Sequence, residues 1–172
     1  MMHTSSPCKY FSEFHLEESQ LLNISLIETP PSTLVIDVLY AADVLSTYCE
    51  YLQGGGDPRA YKVQNADFRR LRFGSIRKLR ITPGERLTLN TKDFTESLRV
   101  LRGQQRLVTN AECSHVDGQY KLSISFDSFG ELSWECEEFS FAHRLANIDR
   151  TDDTILYRDA ETGDLLDPES PF

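Results

Sequence analysis

The chain has little of what marks a membrane or secreted scaffold protein. No apolar run approaches the roughly 20 residues that cross a bilayer, which excludes a membrane-spanning helix. The first twenty residues, MMHTSSPCKYFSEFHLEESQ, lack the apolar core of a signal peptide, so a cytoplasmic location and no membrane partner are expected. Cysteine is sparse. Cys8, Cys49, Cys113 and Cys136 are widely separated and form no Cys-x-x-Cys pair, which excludes a small disulfide scaffold and dithiol chemistry. They read as reduced thiols. There is no Gly-x-Ser-x-Gly elbow, and Gly54-Gly55-Gly56 is not followed by Lys-Ser/Thr, so neither a hydrolase nucleophile nor a phosphate loop is written here. That triplet reads as a loop, and no cofactor is expected.

What is present is an ordinary globular composition, 40% hydrophobic and 26% charged over 172 residues, enough for one buried core. We read a single β-rich domain over 1–150, then a C-terminal hairpin and acidic tail over 151–172 that is free to fray. The charge is segregated. Lys and Arg number one against eight Asp and Glu in 1–58, thirteen against four in 59–106, and four against fifteen in 107–172. Clustered positive charge can mark an anion or nucleic-acid surface. With both flanks acidic, the stronger reading is internal pairing, in which a basic strand lies beside acidic ones in the same sheet.

Period-two alternation dominates the pattern. Leu22, Ile24 and Leu26, then Leu34, Ile36, Val38 and Tyr40 beyond Pro30-Pro31, predict a hairpin. Val44, Leu45, Tyr48, Tyr51 and Leu52 fall at helical spacing and stop at Gly54, which predicts a short helix. Leu71 and Phe73 oppose Arg70 and Arg72, and the phase changes at Gly74-Ser75, as at a bulge or tight turn. A second short helix is predicted from Asn90 or Thr91 to Gly103, carrying Phe94, Leu98 and Leu101 on one face. Leu107 to Cys113, a turn at Asp117-Gly118, and Tyr120 to Phe126 form another hairpin. Leu132, Trp134 and Cys136 follow, with a phase slip at Glu138 before Phe139 and Phe141. Leu122, Ile124, Phe126, Leu132 and Trp134 should form one buried wall. The fold class is α+β, predominantly antiparallel β: two packed sheets, or one strongly curved sheet, with one or two short helices.

Candidate chemistry is thin. Cys113, His115, Cys136 and His143 have ligand types that suit zinc, but their spacing matches no metal motif, and buried thiols are the better reading. His15 among Glu13, Glu17 and Glu18 reads as a solvated acidic segment rather than a general base. Trp134, Phe139 and Phe141 could line a pocket, yet inward aromatics in strands are more often core. The cationic set Arg69, Arg70, Arg72, Arg77, Lys78 and Arg80 is the feature suited to binding, because guanidinium forks grip carboxylates and phosphates at two points. It lacks interleaved aromatics, and a pI near 4.9 argues against nucleic acid. Arg69 and Arg77 are expected to remain as an unpaired patch.

Three stretches, Phe14–Leu26 (FHLEESQLLNISL), Leu71–Ile81 (LRFGSIRKLRI) and Gly118–Cys136 (GQYKLSISFDSFGELSWEC), resemble small uncharacterised bacterial β-rich domains, some of them immunity proteins that neutralise a toxin. The helix-like stretch ending at Gly54–Gly56 departs from that pattern. The resemblance implies a non-enzymatic module that meets another protein through a charged face and carries no catalytic residues. The alternatives are a small-molecule-binding β barrel or a cryptic enzyme, and backbone or anion binding by the Arg69–Arg80 face.

Overall fold

The computed structural model describes residues 2–83, 106–127 and 130–172, apart from the side chains of 42–45, 83 and 106. The helix predicted from Asn90 or Thr91 lies outside these residues. In chain order the described elements are β1 (His3–Thr4), α1 (Pro7–Glu13), β2 (Gln20–Ile27), β3 (Thr33–Tyr40), α2 (Ala42–Gln53), β4 (Asn65–Gly74), β5 (Arg77–Pro83), β6 (Arg106–Val116), β7 (Gln119–Phe126), β8 (Gly130–Cys136), β9 (Glu138–Arg150), β10 (Ile155–Asp159) and β11 (Leu165–Leu166).

The strands make one large antiparallel sheet whose order, β11-β10-β9-β4-β3-β2-β6-β7-β8-β5, is open rather than closed, with β1 added beside β9. Chain continuity then folds it. β4 runs into β5 through Gly74-Ser75, and β8 runs into β9 through Glu137, so the β4–β9 ribbon carries on as β5–β8. Gly74 sits opposite Glu138 in the first ladder, and Arg77 opposite Glu135 in the second. The bend falls at the two phase slips seen in the sequence. Ser75 and Lys78 have positive φ of 54° and 51°, and the β5 register shifts between Arg77 and Arg80. A bulge twists and bends a strand, and here it turns the sheet over a common core.

That core draws on both halves. Ile24, Leu34, Ile36, Leu71 and Phe73 meet Val108, Leu122, Ile124, Phe126, Leu132 and Trp134, all buried. The wall expected from alternation is therefore present, in the register Leu122↔Trp134 and Ile124↔Leu132. Phe73 closes against Trp134 edge-on at 4.8 Å. β3, flanked by β2 and β4, is covered on both faces and buried without a break from Leu34 to Val38. α2 ends at Gly54 as its spacing indicated, with Gly55 at φ 86°.

Three expectations need correction. α1 was not anticipated: Ser6 caps it, Pro7 opens it, and Tyr10, Phe11 and Phe14 pack on the core. Nor are all four cysteines reduced, since Cys8 on α1 is bonded to Cys113 on β6, with a Cα separation of 5.0 Å. Cys49 is exposed and Cys136 buried, and burial pushes the Cys136 thiol up to about 12. Finally, the C-terminal tail docks. Phe172 packs with Phe68, Tyr157 and Leu166 on the outer face of the sheet, its ring 4.9 Å from the Arg70 guanidinium. The Pro171 carbonyl accepts a hydrogen bond from Arg144 Nη1 at 2.8 Å. No helix among the described residues is long and apolar enough to cross a membrane.

Asp159, at the end of β10, pairs with Arg144 and also accepts from the Thr162 and Glu161 amides. Arg144 first, and then these amides, hold its carboxyl down to about 2, below the ordinary value near 3.9. A depressed carboxylate adds stability that is complete above its unfolded value and lost as pH falls through its folded one. The stability difference between the wild type and Asp159→Asn should therefore be constant above about pH 5 and shrink as pH drops from about 4 to about 2. A difference that does not change over this range in denaturant melts would show that the Arg144 pair contributes nothing to folding.

Candidate functional site

The cationic set splits by strand parity. Counting back in twos from Phe73 and Leu71 puts Arg69 and Asp67 on the core side of β4, whereas Arg70 and Arg72 face out. Arg69 is therefore buried, 5% exposed, and no part of a surface patch. Its Nε and Nη2 donate to Asp67 Oδ2 at 3.2 and 2.8 Å, and its Nη1 donates to the Tyr10 hydroxyl at 3.1 Å. The guanidinium lies 3.8 Å from the Tyr40 ring centroid and 4.5 Å from that of Phe14. Burial disfavours the cation, but the Asp67 and Tyr10 hydrogen bonds outweigh it and hold Arg69 above its ordinary value. Burial likewise pushes the Tyr10 hydroxyl up.

On the outer side, Arg70 makes a two-point bridge to the buried Asp37, 2.8 Å in each bond. Further along the ribbon, Arg77 meets Glu137 and Lys78 meets Glu135, both at 3.1 Å and both with the cation largely in solvent. The acidic β8 strand thus partners the basic β5 strand. Arg77 is not left over as an unpaired patch. Among the described residues no ion pair is made by Arg72 or Arg80. Arg72 borders a depression of about 470 Å³ at the bend, with Tyr120, Glu137 and Glu138 on its walls.

Elsewhere the sequence candidates separate. Trp134 and Phe139 are buried, Phe141 packs against that core, and together with Phe73 they fill the space inside the folded sheet. Cys113 is engaged by Cys8, His115 stacks on Tyr120 at 4.4 Å, and Cys136 is buried. Among the described residues these side chains are not gathered into a metal-binding group. His15 is exposed.

A second place was missed by sequence reasoning. The core-side face of β3, β4 and β9 can be followed in cross-strand rows: Leu34, Phe73 and Phe139, then Ile36, Leu71 and Phe141, then Val38, Arg69 and His143, then Tyr40, Asp67 and Leu145, and last Asn65 and Asn147. The face turns from apolar to polar along the strands. At the polar end a cleft of about 530 Å³ opens between the sheet, α2 and the α2–β4 connection; α2 supplies Thr47 to its lining, and the connection Tyr61 and Gln64. Tyr61 is braced by Tyr48 at 4.9 Å and Tyr51 at 5.1 Å. Asp67 closes the inner wall; Arg69 donates both its bonds to Oδ2, and the buried Oδ1 has no hydrogen-bond partner among the described residues. The available signal was Asp67-x-Arg69 on the same strand parity as Leu71 and Phe73.

No family model, curated protein or solved structure matches this chain.

Proposed function

We propose that the protein is a non-enzymatic interaction module that meets a protein partner on the outer face of the bent β4–β5/β8–β9 ribbon; the sequence resemblance favours an immunity-type inhibitor. What carries this reading is a set of charges held at set ribbon positions beside the Arg72 depression, the exposed Arg77–Glu137 pair and Lys78, whose exposed ammonium reaches the largely covered Glu135. Exposed pairs of this kind add only about 0–1 kcal/mol each to folding. Their pattern can do more for recognition, since complementary charges steer association and exclude wrong partners. The interspersed glutamates would repel a phosphate backbone, which favours a protein partner over nucleic acid.

The test is a variant with Arg72, Arg77, Lys78 and Arg80 all changed to Gln, leaving Arg70 on Asp37. Its denaturation midpoint is expected to stay close to that of the wild type, while association with a partner co-purified from the native cells slows about tenfold or more and loses its salt dependence. An unchanged association rate would remove this face from consideration. A large loss of stability would assign its charges to folding instead.

A further inference from the structure

We propose that the depression at the bend of the ribbon binds a neutral α-amino acid as its zwitterion, the carboxylate on Arg72 and the ammonium on Glu138. The ladder sets these two side chains on one face. Thr4, Ser140, Arg72 and Val35 follow one another across β1, β9, β4 and β3, and the next row is Glu138, Gly74 and Thr33. Arg72 and Glu138 are therefore diagonal neighbours, a placement from which long side chains of opposite charge can meet. They do not. Among the described residues neither makes an ion pair, although both are at least half in solvent. The Glu138 carboxylate lies over Gly74 instead, with Oε2 3.0 Å from the point that a β-carbon there would occupy. A glycine at such a place leaves room for close approach.

Two separate poles on one wall call for a ligand with both signs on adjacent atoms, and an α-amino acid carries them on one carbon. The guanidinium fork can hold a carboxylate at two points. Phosphate suits the site less well, since Glu138 would repel it and find no donor. Glu137, also on the wall, is already answered by Arg77 and Gln119, both at 3.1 Å, so the ligand need bring no second charge. Thr4, Ser5, Thr33 and Ser140 line the rest, and hydroxyls can meet an uncharged polar side chain as donor or acceptor. The volume, about 470 Å³, lies in the size range of small-molecule sites. The site lies at the opposite end of β5 from Pro83, where the described residues break off. It borders the face read above as a protein contact, but a free amino acid needs no partner, so the two readings can fail separately.

The probes are alanine, serine, threonine and glutamine, titrated at neutral pH into isotopically labelled protein and followed by amide NMR. At least one is expected to give saturable shifts grouped on 72–74 and 138–140. Its N-acetyl form, which has no ammonium, and its methyl ester, which has no carboxylate, should each bind about tenfold more weakly or worse. Arg72→Gln should erase the preference over the methyl ester, and Glu138→Gln the preference over the N-acetyl form, a crossed pattern that a loss of folding would not produce. Three results would overturn the proposal: no amino acid shifting these residues, either derivative binding as tightly as the free amino acid, or variants that keep the preferences of the wild type.

Discussion

Replacing Cys8 and Cys113 together with Ser is expected to lower the unfolding free energy by about 4–5 kcal/mol, near the upper end of what a disulfide contributes. The two cysteines are 105 residues apart, so the bond closes a long loop in the unfolded chain and removes much of its freedom. It also ties α1 to β6. α1 carries Tyr10, whose hydroxyl meets Arg69, and losing the tie should weaken the cover over that buried cation as well. Denaturant melts of the double variant, and of the wild type with and without reductant, measure the effect. Thiol labelling checks its basis. Cys49 should react in the native protein, Cys136 only after unfolding, and Cys8 and Cys113 only after unfolding with reductant. Four thiols labelled in denaturant alone would sink the prediction. Disulfides persist mainly in oxidising compartments, so the Cys8–Cys113 bond stands against the cytoplasmic location expected from the sequence.

Arg69→Met should cost about 3–5 kcal/mol, because removing one partner of a buried pair leaves the other charge uncompensated. Asp67 would keep a buried carboxylate with neither oxygen bonded, and Tyr10 would lose the donor to its hydroxyl. Adding Asp67→Leu to the same chain should recover most of that loss, since a buried pair can often be exchanged for apolar groups of similar volume at little cost. Unfolding curves of the two single variants and the double variant form a cycle. A coupling near zero would mean that Asp67 and Arg69 do not depend on one another, contrary to the bonds between them.

The strands and their bends were legible because period-two alternation records which side of each strand is covered. Leu122 to Trp134 shows this, and so do the slips at Gly74-Ser75 and Glu138. Opposite-charge pairing between the basic and acidic segments was legible from the counts alone, but the partners were not. Whether Arg69 faced solvent or core depended on carrying the parity back from Phe73 and Leu71 across a run of arginines, and composition argued against a buried one. α1 was hidden by its shortness, since one apolar stripe over 7 residues looks like scattered aromatics.

From local pattern alone, then, the sequence determined an antiparallel β-rich chain with a short helix before Gly54, hairpins at Pro30-Pro31 and Asp117-Gly118, and a core wall around Trp134. Side-chain alternation, capping and turn chemistry act over a few residues and can be read in one dimension. Only the tertiary structure decided which strands are neighbours, and with that the bending of the sheet onto itself, the meeting of Cys8 with Cys113, and the docking of Phe172 on the outer face. It also decided that Tyr10 of α1 would meet the Arg69 guanidinium on the core side of β4. These depend on contacts between residues far apart in the chain, whose pairing is set by the packing of the whole sheet and leaves no periodic trace in any one segment.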